Sequence, residues 1–316
     1  MMPKIRIIYM GTPDFSVPAL QQLAAEENFH ISLVVTQPDR PKGRGKKLTP
    51  SPVKTAALDL GLDVLQPERI NTKETRDQLR SLQPDFFVVA AFGQILSQEI
   101  LDIPKVFPIN IHASLLPKYR GASPIQAAIL NRDAVTGVTT MVMAQKMDAG
   151  DILMTSTTPI SEQDTAQDLH DRLGAMGADL IVETLHAVLD NRLTPRPQDH
   201  AKATYVKLLK KKDGEIDWTL SNRQICAHIN AMTPWPGAFT RLGNTPLKIF
   251  TAQPVDGTCL HEPGVMFQCD KTGIHVATGK GSLIILELMG TSGKRLTARE
   301  FLCGHTIDPP IKFDPA

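Results

Sequence analysis

The sequence predicts an α/β chain: a Rossmann-like, doubly wound, mostly parallel sheet followed by a small C-terminal β-barrel of OB-like type. Three observations predict it. Over the first two-thirds, short apolar runs alternate with single helix-like segments. After Asn191 the composition turns polar and proline-bearing. Beyond Pro236 the apolar segments become short and are separated by glycine-containing turns.

Ile5–Met10 (IRIIYM) opens the chain as a buried strand, and Ile31–Thr36, Phe86–Ala91 and Pro108–His112 repeat the pattern. Phe15–Glu26, Pro52–Leu60, Thr72–Ser81 and Ser123–Asn131 read as helices between them, so the units are βαβ and the sheet is mostly parallel. Val138–Ala144 and Ile152–Ile160 look like two neighbouring strands. Thr165–Leu189 is a long amphipathic helix, apolar at Leu169, Leu173, Met176, Leu180, Ile181, Leu185 and Leu189, with Asp164 placed to cap it. Leu193–Ala203 (LTPRPQDHAKA) reads as part of a linker. The expected division is therefore a first domain at 1–191, a linker at 192–206 and a barrel domain at 207–316. The last domain begins with a helix over Ser221–Met232. Strands follow at Ala238–Leu242, Leu247–Ala252, Gly264–Gln268, Ile274–Thr278 and Leu283–Leu288. Five short strands of this kind fit a small antiparallel barrel.

Composition excludes several classes. The 316 residues carry 34 Lys+Arg against 33 Asp+Glu, are 42% hydrophobic and 21% charged, and so resemble neither a disordered nor a fibrous chain. The net charge of +1 speaks against a general polyanion binder, although a sum says nothing about where charges sit. No apolar run approaches the roughly 18 residues of a membrane span, and no signal-peptide core follows Ile5–Met10. Cys226, Cys259, Cys269 and Cys303 have no C-x-x-C spacing, which points to reduced thiols in a cytoplasmic protein without a metal site. Met10–Phe15 (MGTPDF) supplies only Gly11 where a dinucleotide site needs G-x-G-x-x-G, and no phosphate-loop motif occurs.

Residues 108–126 (PINIHASLLPKYRGASPIQ) carry the candidate chemistry. Asn110 and His112 alternate along one strand and point to the same face, near the C-terminal edge where open α/β sheets bind ligands. A histidine there is either a core residue satisfied by a carbonyl or a general acid–base. A second polar cluster, Met147–Asp151 (MDAGD), reads equally as a plain hairpin turn or as a carboxylate brought to the histidine. Five of the basic residues, Arg40, Lys42, Arg44, Lys46 and Lys47, gather in one glycine- and proline-punctuated loop. Lys207, Lys210, Lys211 and Lys212 gather just past the linker. Each cluster is either a solvated face or an anion-binding surface.

Read together, these motifs resemble the methionyl-tRNA formyltransferase family along nearly the whole chain. The resemblance rests on Gly11–Phe15 (GTPDF), Thr36–Lys47 (TQPDRPKGRGKK), Pro50–Lys54 (PSPVK) and Ser114–Gln126 (SLLPKYRGASPIQ). Asp148–Asp151 (DAGD), Ile216–Trp218 (IDW) and Asn230–Pro236 (NAMTPWP) extend it. Asn-x-His followed by SLLP-x-x-RG, with a downstream Asp-x-Gly, is the signature of the wider formyltetrahydrofolate-dependent transferases. The basic loop and C-terminal domain narrow it to the tRNA enzymes. Departures are small: Ala113 stands where glycine is common, Ser123 where alanine is common and Ala149 where threonine is common.

The resemblance implies catalytic roles for Asn110, His112 and Asp148, and a folate-binding turn at Ser114, Leu115, Leu116 and Pro117. It implies that Arg44 belongs to a loop that approaches the acceptor end of the tRNA, and the basic clusters Arg40, Lys42, Arg44, Lys46 and Lys47 and Lys207, Lys210 and Lys211 are expected to contact the tRNA backbone. The implied reaction moves the formyl group of 10-formyltetrahydrofolate to the α-amino group of initiator methionyl-tRNA. No metal, membrane or DNA is expected, and the expected state is a monomer. Two alternatives stand at this point. One is a relative that formylates an amino-sugar nucleotide, for which the loop at 40–47 has no use. The other is an inactive tRNA- or folate-binding protein.

Overall fold

A computed structural model of the chain describes residues 4–42, 45, 47–243, 245–305 and 307–314, with Lys42 described in its backbone only. The chain begins with β1 (Ile5–Gly11), α1 (Val17–Ala25), β2 (Phe29–Val35), β3 (Arg40–Lys42), β4 (Lys47–Thr49) and α2 (Pro52–Asp59). Next come β5 (Val64–Leu65), α3 (Lys73–Ser81), β6 (Phe86–Ala90), α4 (Gln98–Leu101), β7 (Phe107–His112) and β8 (Arg120–Gly121). Then α5 (Pro124–Leu130), β9 (Val135–Val142), β10 (Ile152–Pro159), α6 (Ala166–Leu189) and β11 (Tyr205–Val206). The remainder holds α7 (Asn222–Met232), β12 (Ala238–Leu242), β13 (Thr245–Val255), β14 (Val265–Cys269), β15 (Ile274–Ala277), β16 (Ser282–Met289), β17 (Leu296–Thr297), α8 (Ala298–Gly304) and β18 (Ile311–Lys312).

Two compact units result. The first contains residues 1–121, 136–158 and 170–206, and the second contains 122–135, 159–169 and 207–316. Residues 192–206, expected to be a linker, fold into the first unit. Arg196 bridges Ile152, and β11 pairs in parallel with β8.

The first unit is built on a seven-stranded sheet ordered β10-β9-β7-β6-β1-β2-β5. Strands β5, β2, β1, β6 and β7 run parallel, and β9 is antiparallel to β7. Ile7, Ile8, Tyr9 and Met10 of β1 are fully buried, because a central parallel strand is covered on both faces and so reads as continuously apolar. On one face Ile8, Met10, Leu33, Val35, Phe87 and Val89 pack with Ile70, Leu79 and Ile100. Across the sheet α6 lies close to β7 and β9, since a Cβ on Gly177 would crowd Ile111 and touch Val138. Helix starts follow local chemistry: Ser51 caps α2 by accepting from Lys54 N, and Thr72 caps α3 by accepting from Thr75 N.

The strand order reverses between β1 and β6, which opens a crevice at their C-terminal ends. Thr12, just past β1, ties the two loops there by donating to the Phe92 carbonyl at 2.8 Å.

In the second unit β12-β13-β16-β15-β14-β18 form an antiparallel sheet, and β17 pairs with β16. A bridge from Arg241 on β12 to Asp314, just past β18, joins the two edges and bends the sheet toward a barrel. Trp218 stacks on Phe313 at 5.1 Å, and its indole N–H donates to Thr240 at 3.0 Å. Asp164 does not cap α6. Thr165 and Asp168 form a reciprocal capping pair, while Asp164 accepts from Ser161 N.

Candidate active site

Strand β7 delivers Asn110 and His112 at the sheet's C-terminal edge. It is inserted between β6 and β9, with Asn110 opposite Val89 and Met141 and with His112 opposite Thr139. Asn110 is half-buried, and its amide makes no hydrogen bond to a protein group among the described residues. His112 is 6% exposed. Its Nε2 lies 3.0 Å from the Tyr119 carbonyl, which can only accept, so Nε2 carries the proton. The other nitrogen, Nδ1, faces Asp148 Oδ2 at 3.7 Å, beyond direct hydrogen-bond reach but close enough to pair when the ring is charged. His112 thus satisfies a carbonyl with one ring nitrogen and turns the other toward a carboxylate.

The turn after β7 is held from its neighbour strand. Thr139 on β9 is fully buried, donates to the Ser114 carbonyl at 2.7 Å and accepts from Leu116 N at 3.2 Å. Ser114 directs its hydroxyl inward to the Lys118 carbonyl at 2.6 Å. Leu116 is buried, whereas Leu115 and Pro117 stay partly exposed. Nothing in the sequence singled out Thr139, because a threonine in a buried strand looks like any β-former.

Asp148 sits in the left-handed region at φ 50°, which costs a non-glycine residue on the order of 1–3 kcal/mol and persists only where the surroundings fix it. Several contacts fix it here. Asp148 Oδ2 accepts from Gly121 N at 2.7 Å. Gln198 Nε2 donates to the Asp148 carbonyl at 2.9 Å and to the Gly150 carbonyl at 2.6 Å. A Cβ on Gly150 would collide with the Val142 carbonyl, and one on Gly121 with the Val206 carbonyl, so both glycines permit a close backbone approach. Tyr119, which holds His112, is also left-handed at φ 59°.

Beneath this turn lies Arg120, 2% exposed. Its guanidinium donates to Gln198 Oε1 from Nη2 at 2.7 Å and from Nε at 3.2 Å. It also reaches Tyr205 Oη at 3.1 Å and His200 Nδ1 at 2.9 Å. Arg120 lies within the SLLPKYRGASPIQ motif, but Gln198, His200 and Tyr205 lie in the stretch whose composition reads as a linker.

The basic loop forms the hairpin β3–β4, with Arg40 opposite Thr49 and Lys42 opposite Lys47. Arg40 and Lys47 are exposed, and neither makes an ion pair among the described residues. Arg44, Lys46 and the side chain of Lys42 lie outside the described residues. The hairpin's root is clamped. Asp39 accepts from Gln66 and pairs with Lys54 at 2.8 Å, and these two contacts hold its carboxyl below the ordinary value. In the second unit Lys207, Lys210, Lys211 and Lys212 are exposed, with Asp213 accepting from Lys210 N.

Among the described residues no cluster of His, Cys, Asp or Glu has the arrangement of a metal site, and all four cysteines are free. No helix of the described residues is long and apolar enough to cross a membrane.

Comparison with known proteins places these features in a family. Residues 3–185 match the formyl transferase family, and residues 208–306 match the formyl transferase C-terminal domain. A methionyl-tRNA formyltransferase of Citrifermentans bemidjiense is 46% identical over 308 residues, covering 98% of this chain and 96% of that one. One from Geobacter sulfurreducens is 45% identical, covering 100% and 98%. Solved structures share the fold. An N-formyltransferase from Helicobacter canadensis, in complex with folinic acid and dTDP-3-aminofucose, aligns with a TM-score of 0.66 at 19% identity over 89% of this chain and 98% of that one. HypX from Aquifex aeolicus with tetrahydrofolic acid aligns at 0.62 and 16% identity, over 94% of this chain but 47% of that one. With both family models matched in order and relatives aligned from end to end, the chain belongs to the methionyl-tRNA formyltransferase family of formyl transferases.

Proposed function

We propose that the chain formylates the α-amino group of initiator methionyl-tRNA, producing N-formylmethionyl-tRNA for translation initiation in the cytoplasm. When bound, 10-formyltetrahydrofolate supplies the formyl group. The residues present fit such a co-substrate: the Asn110 amide has no protein partner among the described residues, and the half-exposed Leu115 and Pro117 follow it at the same sheet edge. One observation carries the reading. The Asn110-x-His112 strand end meets the Asp148 turn in a chain aligned over 98% of its length with a methionyl-tRNA formyltransferase.

The roles follow from the chemistry of each group. A formyl oxygen gains negative charge as the amine nitrogen bonds to the formyl carbon. Asn110 donates to that oxygen through an amide that does not titrate. His112, fixed by the Tyr119 carbonyl, assists the same charge or moves the proton that the attacking nitrogen loses and the leaving nitrogen gains. Asp148 pairs with the charged imidazole from 3.7 Å. An α-amino group titrates near 7.7–8.0, so a useful fraction is neutral at working pH without an activating group. Ser114, Leu115, Leu116 and Pro117 form the folate-side turn.

Arg40, Lys42, Arg44, Lys46 and Lys47, with Lys207, Lys210 and Lys211, supply cations for the tRNA backbone. The catalytic work lies in residues 1–191 with the segment to 206, and residues 207–316 serve tRNA binding. The chain acts as a monomer on RNA, not on DNA or a membrane.

The test is an assay with labelled 10-formyltetrahydrofolate against methionyl-tRNA, free methionine and an amino-sugar nucleotide. Label in methionyl-tRNA alone is the expected result. Label in the sugar nucleotide alone overturns the reading, and label in none of them leaves only an inactive binding protein.

A further inference from the structure

We propose that Gln198 is a positioning residue for the formyl-transfer site, aimed by the buried Arg120 and acting through Asp148. The proposal rests on the reading of Asp148 given above.

Its basis is the complete use of one amide. A glutamine side chain offers two N–H donors and a carbonyl with two lone pairs. Here Nε2 donates to the carbonyls of Asp148 and Gly150, and Oε1 accepts from Nε and Nη2 of Arg120. Gln198 is 6% exposed, so water does not substitute for these partners. Arginine only donates, and a backbone carbonyl only accepts. Arg120 therefore decides which way the amide faces: with Oε1 turned to the guanidinium, Nε2 must face the two carbonyls. Tyr205 and His200 hold the guanidinium in place on its other side.

The same arginine works on Asp148 from a second direction. Its neighbour Gly121 donates its N–H to the Asp148 carboxylate at 2.7 Å. Asp148 is thus gripped at its carboxylate by residue 121 and at its carbonyl by residue 198, and Arg120 sits between the two. That grip explains how a non-glycine residue stays at φ 50° with Oδ2 turned toward His112. Loosening it displaces the carboxylate by a fraction of an ångström to an ångström, which is the scale on which catalytic geometry fails.

Gln198→Glu separates the two halves of the clamp. It keeps an acceptor for Arg120 and removes both donors to the turn, so the buried guanidinium retains its partner. The expected result is a kcat for formylation lower by about 10-fold to 10²-fold, with KM for methionyl-tRNA within about twofold of wild type. Gln198→Leu, which removes both halves, is expected to fall at least as far. The deciding measurement is a cycle with Asp148→Asn. If Gln198 acts through the Asp148 carboxylate, Gln198→Glu costs less than about twofold more in the Asp148→Asn background. A loss in the double variant equal to the product of the single losses makes Gln198 a general scaffold residue and overturns the proposal. So does wild-type kcat in Gln198→Glu beside a crippled Asp148→Asn. Near-normal turnover of Asp148→Asn itself refutes instead the site reading on which the proposal rests.

Discussion

Two loops of the first unit, the Met147–Asp151 turn and the Arg40–Thr49 hairpin, solve opposite problems. The turn is held at nearly every polar point available: carboxylate, two carbonyls and a glycine pressed on a neighbouring strand. The hairpin is held at its root by Asp39, Lys54 and Gln66, while Arg40 and Lys47 stand in solvent without ion pairs among the described residues. An ångström of misplacement can cost a catalytic group on the order of 10²-fold in rate. Phosphate recognition tolerates more, because Coulomb attraction falls off gradually and long basic side chains adapt. Mutations in the turn should therefore register in turnover, and those in the hairpin in affinity.

The largest effects belong to the rigid loop and its partners. Asn110→Ala, His112→Ala and Asp148→Ala are each expected to lower kcat by about 10²–10³, with far-UV circular dichroism unchanged. Single-turnover formylation at saturating tRNA reads the effect directly. A variant of any of the three that turned over normally would break the contrast on the rigid side.

The hairpin should respond in affinity. Arg40→Ala is expected to weaken methionyl-tRNA binding while leaving folate binding unchanged. The slope of log affinity against log salt should become shallower by about 0.7–0.9 for one lost phosphate contact. Equal slopes for variant and wild type would show that Arg40 faces solvent only.

The smallest effect concerns the root. The Asp39 carboxyl is held below its ordinary value of 3.8 by the Gln66 hydrogen bond and the Lys54 ammonium. A lowered acid constant means that its contribution to the fold is present above the ordinary value and is lost as pH falls through the lowered one. Hairpin amides are therefore expected to lose hydrogen-exchange protection in acid before the sheet does. Asp39→Asn should reproduce part of that loss at neutral pH, and unchanged protection would mean that the clamp contributes nothing.

Much of this was legible in the sequence, and particular residues show why. The strands β1 and β6 carry continuous apolar runs, β7 a short apolar stretch and α6 an amphipathic period, so their existence followed from burial alone. Asn110 and His112 stood out because polar residues near a buried strand end need a reason, whereas Asp148 lies in a stretch that reads equally as a plain hairpin turn and was marked by the family resemblance. Several missed elements are too short to carry a pattern: β5, β8 and β11 are two residues each. The reading of 192–206 as a linker failed for a physical cause. Gln198 and Tyr205 earn their contacts one at a time, from a partner 78 or 85 residues away, and no local spacing records that. Thr165 displaced Asp164 as the cap of α6 because Asp168, three residues on, returns the hydrogen bond.

The folding of 192–206 against the first unit bears on how such a chain is cut and recombined. A fragment ending at Asn191 retains the Asn110–Gln126 stretch and the Asp148–Asp151 turn, yet it lacks the glutamine that clasps the Asp148 turn and the tyrosine that steadies Arg120. The natural seam for shuffling or grafting lies after Val206, where β11 closes on β8. A chimera joined any earlier would inherit the recognisable sequence of the enzyme and leave behind part of its frame.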